Sequence, residues 1–252
     1  MEKVLVTGST GVLGRQLLAA LQDGGREAVG FSRTPQRGSL AGDLLTGRGV
    51  QEALSSVHTV IHAATNPKRA LDDLQMGQNL LNACQRSGVQ HFIYVSIAGV
   101  NYSGGYDYYR SKFAVERLVE RGSIPYTIQR ATPFHEFAAL LLRMLRFGPL
   151  QFVPQGVNLQ PVEAAAVAAE VAHIACGDAQ GHPPDLAGPE IMSLEECARL
   201  AGYRPVVLPI PHPAFRAMRQ GALMADRPKV IGGSWESWLA ANVGQPDPHN
   251  FR

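Results

Sequence analysis

The feature that most constrains how this chain folds is a glycine-rich turn at residues 7–14, which reads TGSTGVLG. A short apolar run precedes the turn and an apolar-periodic stretch follows it, as expected for a strand, a tight turn and a helix. Gly8 permits the tight turn, Gly11 lets the backbone approach a pyrophosphate, and Gly14 allows close helix–strand packing. Unpaired N–H groups and the positive end of the helix would face the phosphates. The turn therefore predicts a Rossmann-type site for a dinucleotide.

Short β-branched runs alternate with amphipathic stretches through the first half of the chain. The predicted strands cover residues 4–6, 28–31, 39–41, 57–62, 92–96 and 126–130. The predicted helices cover residues 12–21, a short segment ending near 55, 69–86 and 108–121. Strands that are apolar on both faces belong inside a covered sheet, and strands alternating with helices form parallel β-α-β units. The pattern predicts an α/β fold, a Rossmann doubly wound parallel sheet with helices on both faces and a small C-terminal lobe.

The rhythm changes after Arg130, where proline becomes frequent and the elements become irregular. The elements predicted there are helices at 134–147, at 162–176, from 193 onward and around Trp235 and Trp238, an extended segment at 206–213, and a loose tail at 245–252. Ser193 and Glu196 have the spacing of a capping box. We therefore expect a dinucleotide-binding core at 1–133 and a smaller substrate lobe at 134–252, with segments that return to the core. The lobe should lie against the carboxyl edge of the sheet, where ligands bind in such folds.

Composition excludes several classes of partner. A net charge of +2 provides no basic field for nucleic acid, and no run approaches the length of apolar sequence that spans a membrane. The three cysteines are widely spaced and show no metal-ligand pattern, so no metal site is expected. The sequence enters its first strand without a signal or transit pattern, which leads us to expect a cytoplasmic protein. A monomer and a homodimer both remain open.

The choice of dinucleotide is predicted from the end of the second strand. An acidic residue about 20 positions after the glycine turn would bind the ribose 2′-hydroxyl of NAD. The sequence there contains no carboxylate, and Ser32 is followed by Arg33, whose guanidinium suits a 2′-phosphate. Arg37 and Arg15 are further candidates for that role. The prediction is NADPH, with the alternative that Arg33 is a solvated loop charge.

Several motifs in order carry a family resemblance, nearly continuous from residue 1 to about 137. They are the glycine turn with its G-x-x-G-x-x-G spacing, Gly42-Asp43-Leu44, VIHAA at 60–64, NLLNAC at 79–84, GVQHFIYVS at 88–96, YYRSK at 108–112 and QRATPFHEF at 129–137. The chain resembles the NmrA-like subgroup of atypical short-chain dehydrogenase/reductases. For the cofactor, we expect contacts from Gly8, Ser9, Thr10, Gly11, Val12, Leu13, Gly14, Ser32, Arg33, Asp43, Leu44, Ala63, Ala64, Thr65 and Lys112. The resemblance assigns the Asp43 carboxylate to adenine and Lys112 to the nicotinamide ribose.

Tyr108 and Lys112 are predicted catalytic residues. At i, i+4 spacing on a helix they share one face, and an ammonium near a phenol favours the phenolate. Such a tyrosine can donate a proton to a carbonyl oxygen. The alternative is that Tyr108 belongs to a surface cluster with Tyr102, Tyr106 and Tyr109, while Lys112 only positions the cofactor.

The fifth strand departs from the family pattern. Active relatives usually have a second Ser or Thr after the first serine of this strand, to orient the substrate carbonyl. Here Ser96, the third predicted catalytic residue, is followed by Ile97 and Ala98, so the usual partner is missing unless Ser96 or Ser103 replaces it. A hydride acceptor that is reduced readily, such as a quinone, would not require this second hydroxyl.

Residues beyond the sixth strand are expected to meet the substrate. His135 and Phe134 follow that strand, and His135 could bind or protonate an acceptor oxygen, the alternative being a histidine satisfied by packing or a backbone contact. His62 is interpreted as a strand-end residue near the cofactor, and Asp73 as a structural residue or loop cap.

Two functions follow as expectations. The first is an NADPH-dependent oxidoreductase that transfers hydride to a small apolar acceptor such as a quinone or enone. The second is a regulatory protein that binds NADP(H) as a sensor without robust catalysis. The pair formed by Tyr108 and Lys112 favours the enzyme, whereas the apolar positions after Ser96 favour the sensor. An epimerase or dehydratase acting on nucleotide sugars is a third reading, and it would need a fuller catalytic set.

Overall fold

A computed structural model describes residues 2–34, 38–102 and 107–242 of the chain, without the side chain of Tyr102. The strands are β1 Lys3–Thr7, β2 Glu27–Ser32, β3 Ser39–Ala41, β4 Val57–His62, β5 His91–Ile97, β6 Tyr126–Ala131, β7 Arg146–Phe147, β8 Leu150–Pro154, β9 Asn158–Leu159, β10 Leu186–Ala187, β11 Met192–Ser193, β12 Pro205–Leu208 and β13 Lys229–Val230. The helices are α1 Val12–Asp23, α2 Val50–Ala53, α3 Asp72–Ser87, α4 Asp107–Glu120, α5 His135–Met144, α6 Ala164–Ile174, α7 Leu194–Leu200, α8 Pro213–Arg219 and α9 Trp235–Asn242.

The main sheet has eight strands in the order β13-β10-β6-β5-β4-β1-β2-β3, and every neighbouring pair in it is parallel. The chain moves outward from β1 to β3 in one direction and returns to place β4, β5 and β6 on the other side of β1. This reversal creates a crevice at the carboxyl ends of the central strands, where ligands bind in open α/β sheets. The predicted doubly wound Rossmann sheet is confirmed.

Alternating side chains along the strands form two apolar layers, one on each face of the sheet. Leu5, on β1, packs with α2, α3 and α4 on one face. Its neighbours Val4 and Val6 pack with α1 and α6 on the other face. Because both faces are covered, the strands are apolar throughout, as the sequence indicates.

The remaining elements form a lobe around a third apolar cluster that includes Leu142, Val153, Leu194 and Trp235. Strand β8 lies between β7 and β12 in a small sheet of its own. The capping box predicted at the start of α7 is present, because the Ser193 hydroxyl accepts the Glu196 N–H and the Glu196 carboxylate accepts the Ser193 N–H. Three elements of the second half of the chain belong to the core and not to the lobe. Strands β10 and β13 lie in the main sheet, and α6 packs in the apolar layer on one of its faces.

Two predicted helix boundaries were wrong. The helix expected at 134–147 ends at Met144, since Arg146 and Phe147 pair with β8 across a hairpin in which Gly148 has φ +60°. The helix expected from residue 69 begins at Asp72, because residues 66–69 form a separate turn. The segment predicted to be extended at 206–213 contains β12 up to Leu208, and only its last residue, Pro213, lies in a helix, α8. The tail predicted at 245–252 lies outside the described residues.

Within the described ranges, no helix combines the length and the apolar character needed to cross a bilayer.

Candidate cofactor-binding and active site

The glycine turn between β1 and α1 has no room for a side chain at two of its positions, Gly8 and Gly14. Gly8 has φ +69°, and a Cβ there would lie 2.8 Å from the backbone of Ala64, at the end of β4. At Gly14 a Cβ would lie 2.1 Å from the Gly8 carbonyl oxygen, which confirms that this glycine allows α1 to approach the turn. The turn is therefore pressed against both its own helix and the neighbouring strand end.

The first turn of α1 is open to an anion. Its N-cap is Gly11, no side chain caps it, and no acidic residue lies in its first turn among the described residues. A Cβ at Gly11 would meet only the Gly8 carbonyl oxygen, at 3.2 Å, so the approach to the N–H groups is unobstructed by side chains. The residues present thus fit a dinucleotide pyrophosphate, which such helix ends bind.

The other residues predicted in the turn contribute in different ways. The Ser9 side chain is buried against Gly30 of β2, and Leu13 lies in the apolar layer under α1, so only their backbones can face a phosphate. Thr10 and Val12 are half-buried at the rim of the turn. The Arg15 guanidinium donates to the Thr10 carbonyl at 2.5 Å, which braces the turn from its outer side.

The end of β2 presents the predicted 2′-phosphate site. Ser32 is the last residue of β2, and its hydroxyl donates to the Thr34 carbonyl at 2.8 Å. Arg33 follows with an exposed side chain that forms no ion pair with any described residue. Arg37 lies outside the described residues. A guanidinium placed at the end of β2 is therefore available to an anionic ligand.

The loop after β3 carries the residues predicted near adenine. Asp43 is half-buried, and its carboxylate accepts the Leu45 N–H at 2.9 Å, while the Leu44 side chain is buried. The Asn79 amide, on α3, donates to the carbonyls of Leu44 and Leu45 at 2.8 and 2.9 Å. Sequence reasoning missed this role for Asn79, whose only signal was its place in the NLLNAC motif.

His62 ends β4 and is buried behind the glycine turn. Its Nδ1 lies 2.8 Å from the Thr7 hydroxyl, and its ring stacks on Tyr94 with centroids 5.5 Å apart. Burial and the nearby Lys112 ammonium lower the pKa of His62 to about 3, so the ring is neutral at neutral pH. These contacts agree with its interpretation as a strand-end residue near the cofactor.

The loop after β4 is held by one carboxylate. Ala63 and Ala64 border the glycine turn, and the following residues bend toward α3. Asp73 accepts the Thr65 hydroxyl at 2.6 Å and the Asn66 N–H at 2.7 Å. Asp73 is therefore a loop cap, as predicted, and it is almost completely buried.

Tyr108 and Lys112 lie one turn apart on α4, as their spacing predicts. The Lys112 ammonium is 5.8 Å from the centre of the Tyr108 ring and 5.2 Å from that of Tyr94, and only 4% of its side chain is exposed. Tyr108 is half-buried, whereas Tyr109 is buried and donates its hydroxyl to the Ala222 carbonyl at 3.1 Å. The alternative of a surface tyrosine cluster is wrong for Tyr109; Tyr106 and the Tyr102 side chain lie outside the described residues.

Strand β5 ends beside β6 with hydroxyl groups that have no hydrogen-bond partner among the described residues. Ser96 pairs with Arg130 across the two strands, and its Oγ is buried and unpartnered. Thr132, directly after β6, has a buried and unpartnered Oγ1. The side chain of Ile97 supplies no hydroxyl there, and Ser103 lies outside the described residues. Nothing in the sequence singles out Thr132, because it is one residue within the QRATPFHEF motif at 129–137.

His135 begins α5 and is completely buried. Its Nε2 lies 3.2 Å from the Gly233 carbonyl, and its ring packs against Trp235 and Trp238 of α9. Burial lowers the pKa of His135. His135 therefore has the backbone contact and the packing that the alternative interpretation of this histidine predicts. The preceding residue, Phe134, is half-buried and packs against the apolar layer under α1.

A cleft of about 250 Å³ opens next to His135, between α1, α5, α6 and α9. Its walls include Glu136, Glu163 and Trp238, and burial raises the pKa of Glu136. No group of three or more His, Cys, Asp or Glu side chains suited to a metal ion occurs in the described part of the chain.

Comparison with known proteins identifies the family. A family model described as NAD(P)H-binding matches residues 8–149, more than half of the chain. The chain belongs to this NAD(P)H-binding family. The matched region contains the turn from Gly8 to Gly14, the β4 end, and the Tyr108 and Lys112 pair, so the expected membership of an NAD(P)H-binding family is confirmed.

Curated relatives match part of the chain. A 3-beta-hydroxysteroid dehydrogenase from Mycolicibacterium neoaurum is 30% identical over 128 residues, covering 40% of this chain and 34% of that protein. The photosystem II assembly factor Ycf39 from Synechocystis sp. is 27% identical over 148 residues, covering 52% of this chain and 45% of that protein. The match thus spans less than half the length of either relative.

Solved structures extend the likeness to the whole fold. An NADPH-dependent quinone oxidoreductase from Escherichia coli aligns with a TM-score of 0.75 at 15% identity, covering 94% of this chain and 98% of that one. A short-chain dehydrogenase/reductase superfamily protein from Agrobacterium tumefaciens with bound NAD aligns with a TM-score of 0.71 at 19% identity, covering 95% of each chain. At these identities the likeness establishes the fold alone.

Proposed function

We propose that this protein is an NADPH-dependent reductase that acts on a small apolar acceptor such as a quinone or an enone. The observation that carries the proposal is the placement of Tyr108 and Lys112 on one face of α4. The Lys112 ammonium is buried beside the rings of Tyr108 and Tyr94. The uncapped helix end that fits a pyrophosphate lies at the carboxyl edge of the same sheet. Reduced nicotinamide would supply the hydride at this edge.

The proposed chemistry requires one proton from the protein for each hydride. Tyr108 is the proposed donor, since a phenol beside a buried ammonium can release a proton to the acceptor oxygen as the neighbouring carbon is reduced. The Lys112 Nζ lies 5.8 Å from the centre of the Tyr108 ring. The buried hydroxyls of Ser96 and Thr132 lie at the ends of the neighbouring strands β5 and β6. For a quinone the same proton converts the reduced oxygen to a hydroxyl.

Replacement of Tyr108 by phenylalanine tests this assignment. We expect enone reduction to fall by about 100-fold while NADPH affinity stays within about twofold, because general acid catalysis contributes 10²–10⁴-fold to such steps. The measurement is NADPH consumption with a panel of enones and quinones. Tyr109→Phe is the matched control, since its hydroxyl bonds the Ala222 carbonyl and its loss should cost stability without lowering turnover. Equal turnover in the parent and Tyr108→Phe would remove Tyr108 as the donor.

The preference for NADPH rests on Arg33. Its exposed guanidinium follows β2, and the sequence around it has no carboxylate to bind a ribose 2′-hydroxyl. We expect Arg33→Ala to weaken NADPH binding by about 10- to 100-fold and to leave NADH binding unchanged, since a charge-assisted contact to a phosphate contributes about 1.5–3 kcal/mol. Titration of both cofactors by calorimetry measures this. The control is Arg121→Ala, which replaces an exposed arginine directly after the C-terminal end of α4. Tighter binding of NADH than of NADPH by the parent would refute the preference.

A sensor that binds NADP(H) without turnover is the second candidate. Ile97 at the end of β5 provides no hydroxyl for a substrate carbonyl. One of the curated relatives, Ycf39, is named as an assembly factor and not as an enzyme. Tight NADPH binding with no consumption on any acceptor would favour this function over the reductase.

A further inference from the structure

The Lys112 ammonium is the most buried positive charge near the proposed cofactor site. Its side chain is 4% exposed, and its Nζ lies 5.2 Å from the centre of the Tyr94 ring and 5.8 Å from that of the Tyr108 ring. The Tyr94 hydroxyl has no hydrogen-bond partner among the described residues, and burial raises its pKa. An ammonium in such surroundings needs a carboxylate nearby, because an unpaired buried charge is strongly unfavourable.

Asp73 supplies that carboxylate. Its Oδ2 lies 3.9 Å from the Lys112 ammonium, and only 2% of its side chain is exposed. Within the described ranges it forms the sole ion pair of Lys112. The two residues belong to different helices, α3 and α4, so the contact depends on how those helices pack.

The same carboxylate is fixed from its other side by the loop that follows β4. Asp73 Oδ2 accepts the Thr65 hydroxyl, and Oδ1 accepts the Asn66 N–H. This loop begins at Ala63 and Ala64, whose backbone touches the glycine turn at Gly8. Asp73 therefore connects Lys112 to the loop that borders the pyrophosphate site.

We propose that Asp73 is a positioning residue for the cofactor, which acts by holding the Lys112 ammonium in the orientation that binds the nicotinamide ribose. The proposal rests on the proposed NADPH-binding function and deepens it, because it names the residue that fixes the ribose-binding group. Because the Asp73 side chain is almost completely buried and lies 3.9 Å from the Lys112 ammonium, its effect on the cofactor passes through Lys112.

The test is a double-mutant cycle read by NADPH affinity. We expect Asp73→Asn to weaken NADPH binding by about 10-fold in the parent and by less than about twofold in a Lys112→Met background, because the amide keeps the shape but loses the charge. Steady-state kinetics should show a raised KM for NADPH with kcat changed by less than about threefold, the pattern of lost ground-state binding. Asp73→Glu, which keeps the carboxylate, should recover most of the affinity.

The matched control is Asp72→Asn. Asp72 also bonds this loop, through the Asn66 side-chain amide at 3.0 Å, and pairs with Arg69, but it has no contact with Lys112. We expect its replacement to leave NADPH affinity within about twofold, because it removes no contact to Lys112.

An equal loss of affinity from Asp73→Asn in the parent and in the Lys112→Met background would overturn the proposal, since Asp73 would then act on the loop alone. If Asp73→Asn does not fold, Asp73→Ser enters the same cycle, because its hydroxyl can still accept the Asn66 N–H while the charge beside Lys112 is removed. Its loss of affinity should likewise disappear in the Lys112→Met background, and persistence would overturn the proposal. A protein that binds NADPH but reduces no acceptor still gives a readable cycle, so failure of the reductase function is distinguishable from failure of this inference.

Discussion

Replacement of Gly8 by alanine is expected to weaken NADPH binding by at least about 100-fold, because a small displacement of positioning backbone can cost that much. The residue has φ +69°, and a Cβ would lie 2.8 Å from the Ala64 backbone, which cannot move without disturbing β4. The left-handed conformation costs about 1–2 kcal/mol for an L-residue and the overpacking adds about 1–3 kcal/mol. We expect the free energy of unfolding to fall by about 2–5 kcal/mol, measured by urea denaturation alongside cofactor titration.

Gly25 provides the matched control for this variant. It has nearly the same backbone angle, φ +70°, but no atom lies within 4 Å of the position that its Cβ would occupy. Gly25→Ala should therefore cost only the conformational term of about 1–2 kcal/mol and should leave NADPH affinity unchanged. Equal losses of stability and affinity in the two variants would show that the contact between the glycine turn and β4 has no part in binding.

Replacement of Arg130 by methionine is expected to lower the free energy of unfolding by about 3–5 kcal/mol, because it breaks a buried ion pair. Its guanidinium forms two hydrogen bonds to the Glu116 carboxylate, at 2.9 and 2.6 Å, and the Glu116 side chain is completely buried. The carboxylate raises the pKa of Arg130, as expected for a paired guanidinium. Without Arg130, Glu116 is a buried charge with no partner, and thermal unfolding should begin about 10 °C lower.

Two further variants separate charge pairing from packing. Arg117→Met breaks an exposed pair with Glu120 on the same helix and should cost less than about 1 kcal/mol. The double variant with both Arg130 and Glu116 changed to methionine should recover much of the loss, since removing both charges of a buried pair is often neutral. Similar unfolding temperatures for Arg130→Met and Arg117→Met would contradict this account of the pair between α4 and β6.

The parts of the site that were predicted correctly are those that depend on local geometry. The glycine turn is eight consecutive residues whose conformation follows from where glycine is required. Tyr108 and Lys112 share a face because any helix brings positions i and i+4 together. The lack of a carboxylate after β2 can be read directly from the residues around Arg33. Such features need no knowledge of the rest of the chain.

The parts that were missed depend on contacts between distant segments. Asp73 was assigned a capping role, but its distance to Lys112 is set by the packing of α3 on α4. The packing of His135 against Trp235 and Trp238 of α9, about 100 residues later in the chain, was not predicted. The helix predicted to reach residue 147 ends at Met144 because the following residues pair with β8, which also pairs with β12. Helical periodicity carries no information about such pairings.

The sequence by itself determined the alternation of strands and helices, the glycine turn and the residue types available for a cofactor. It did so because these properties are encoded in spacing along the chain, by the two-residue period of strands and the 3.6-residue period of helices. Only the tertiary structure decided which charges meet and which hydroxyls lack a partner. The buried pairs Asp73–Lys112 and Glu116–Arg130 join segments 39 and 14 residues apart, and such pairs form only where packing excludes water and brings both groups within ion-pair distance.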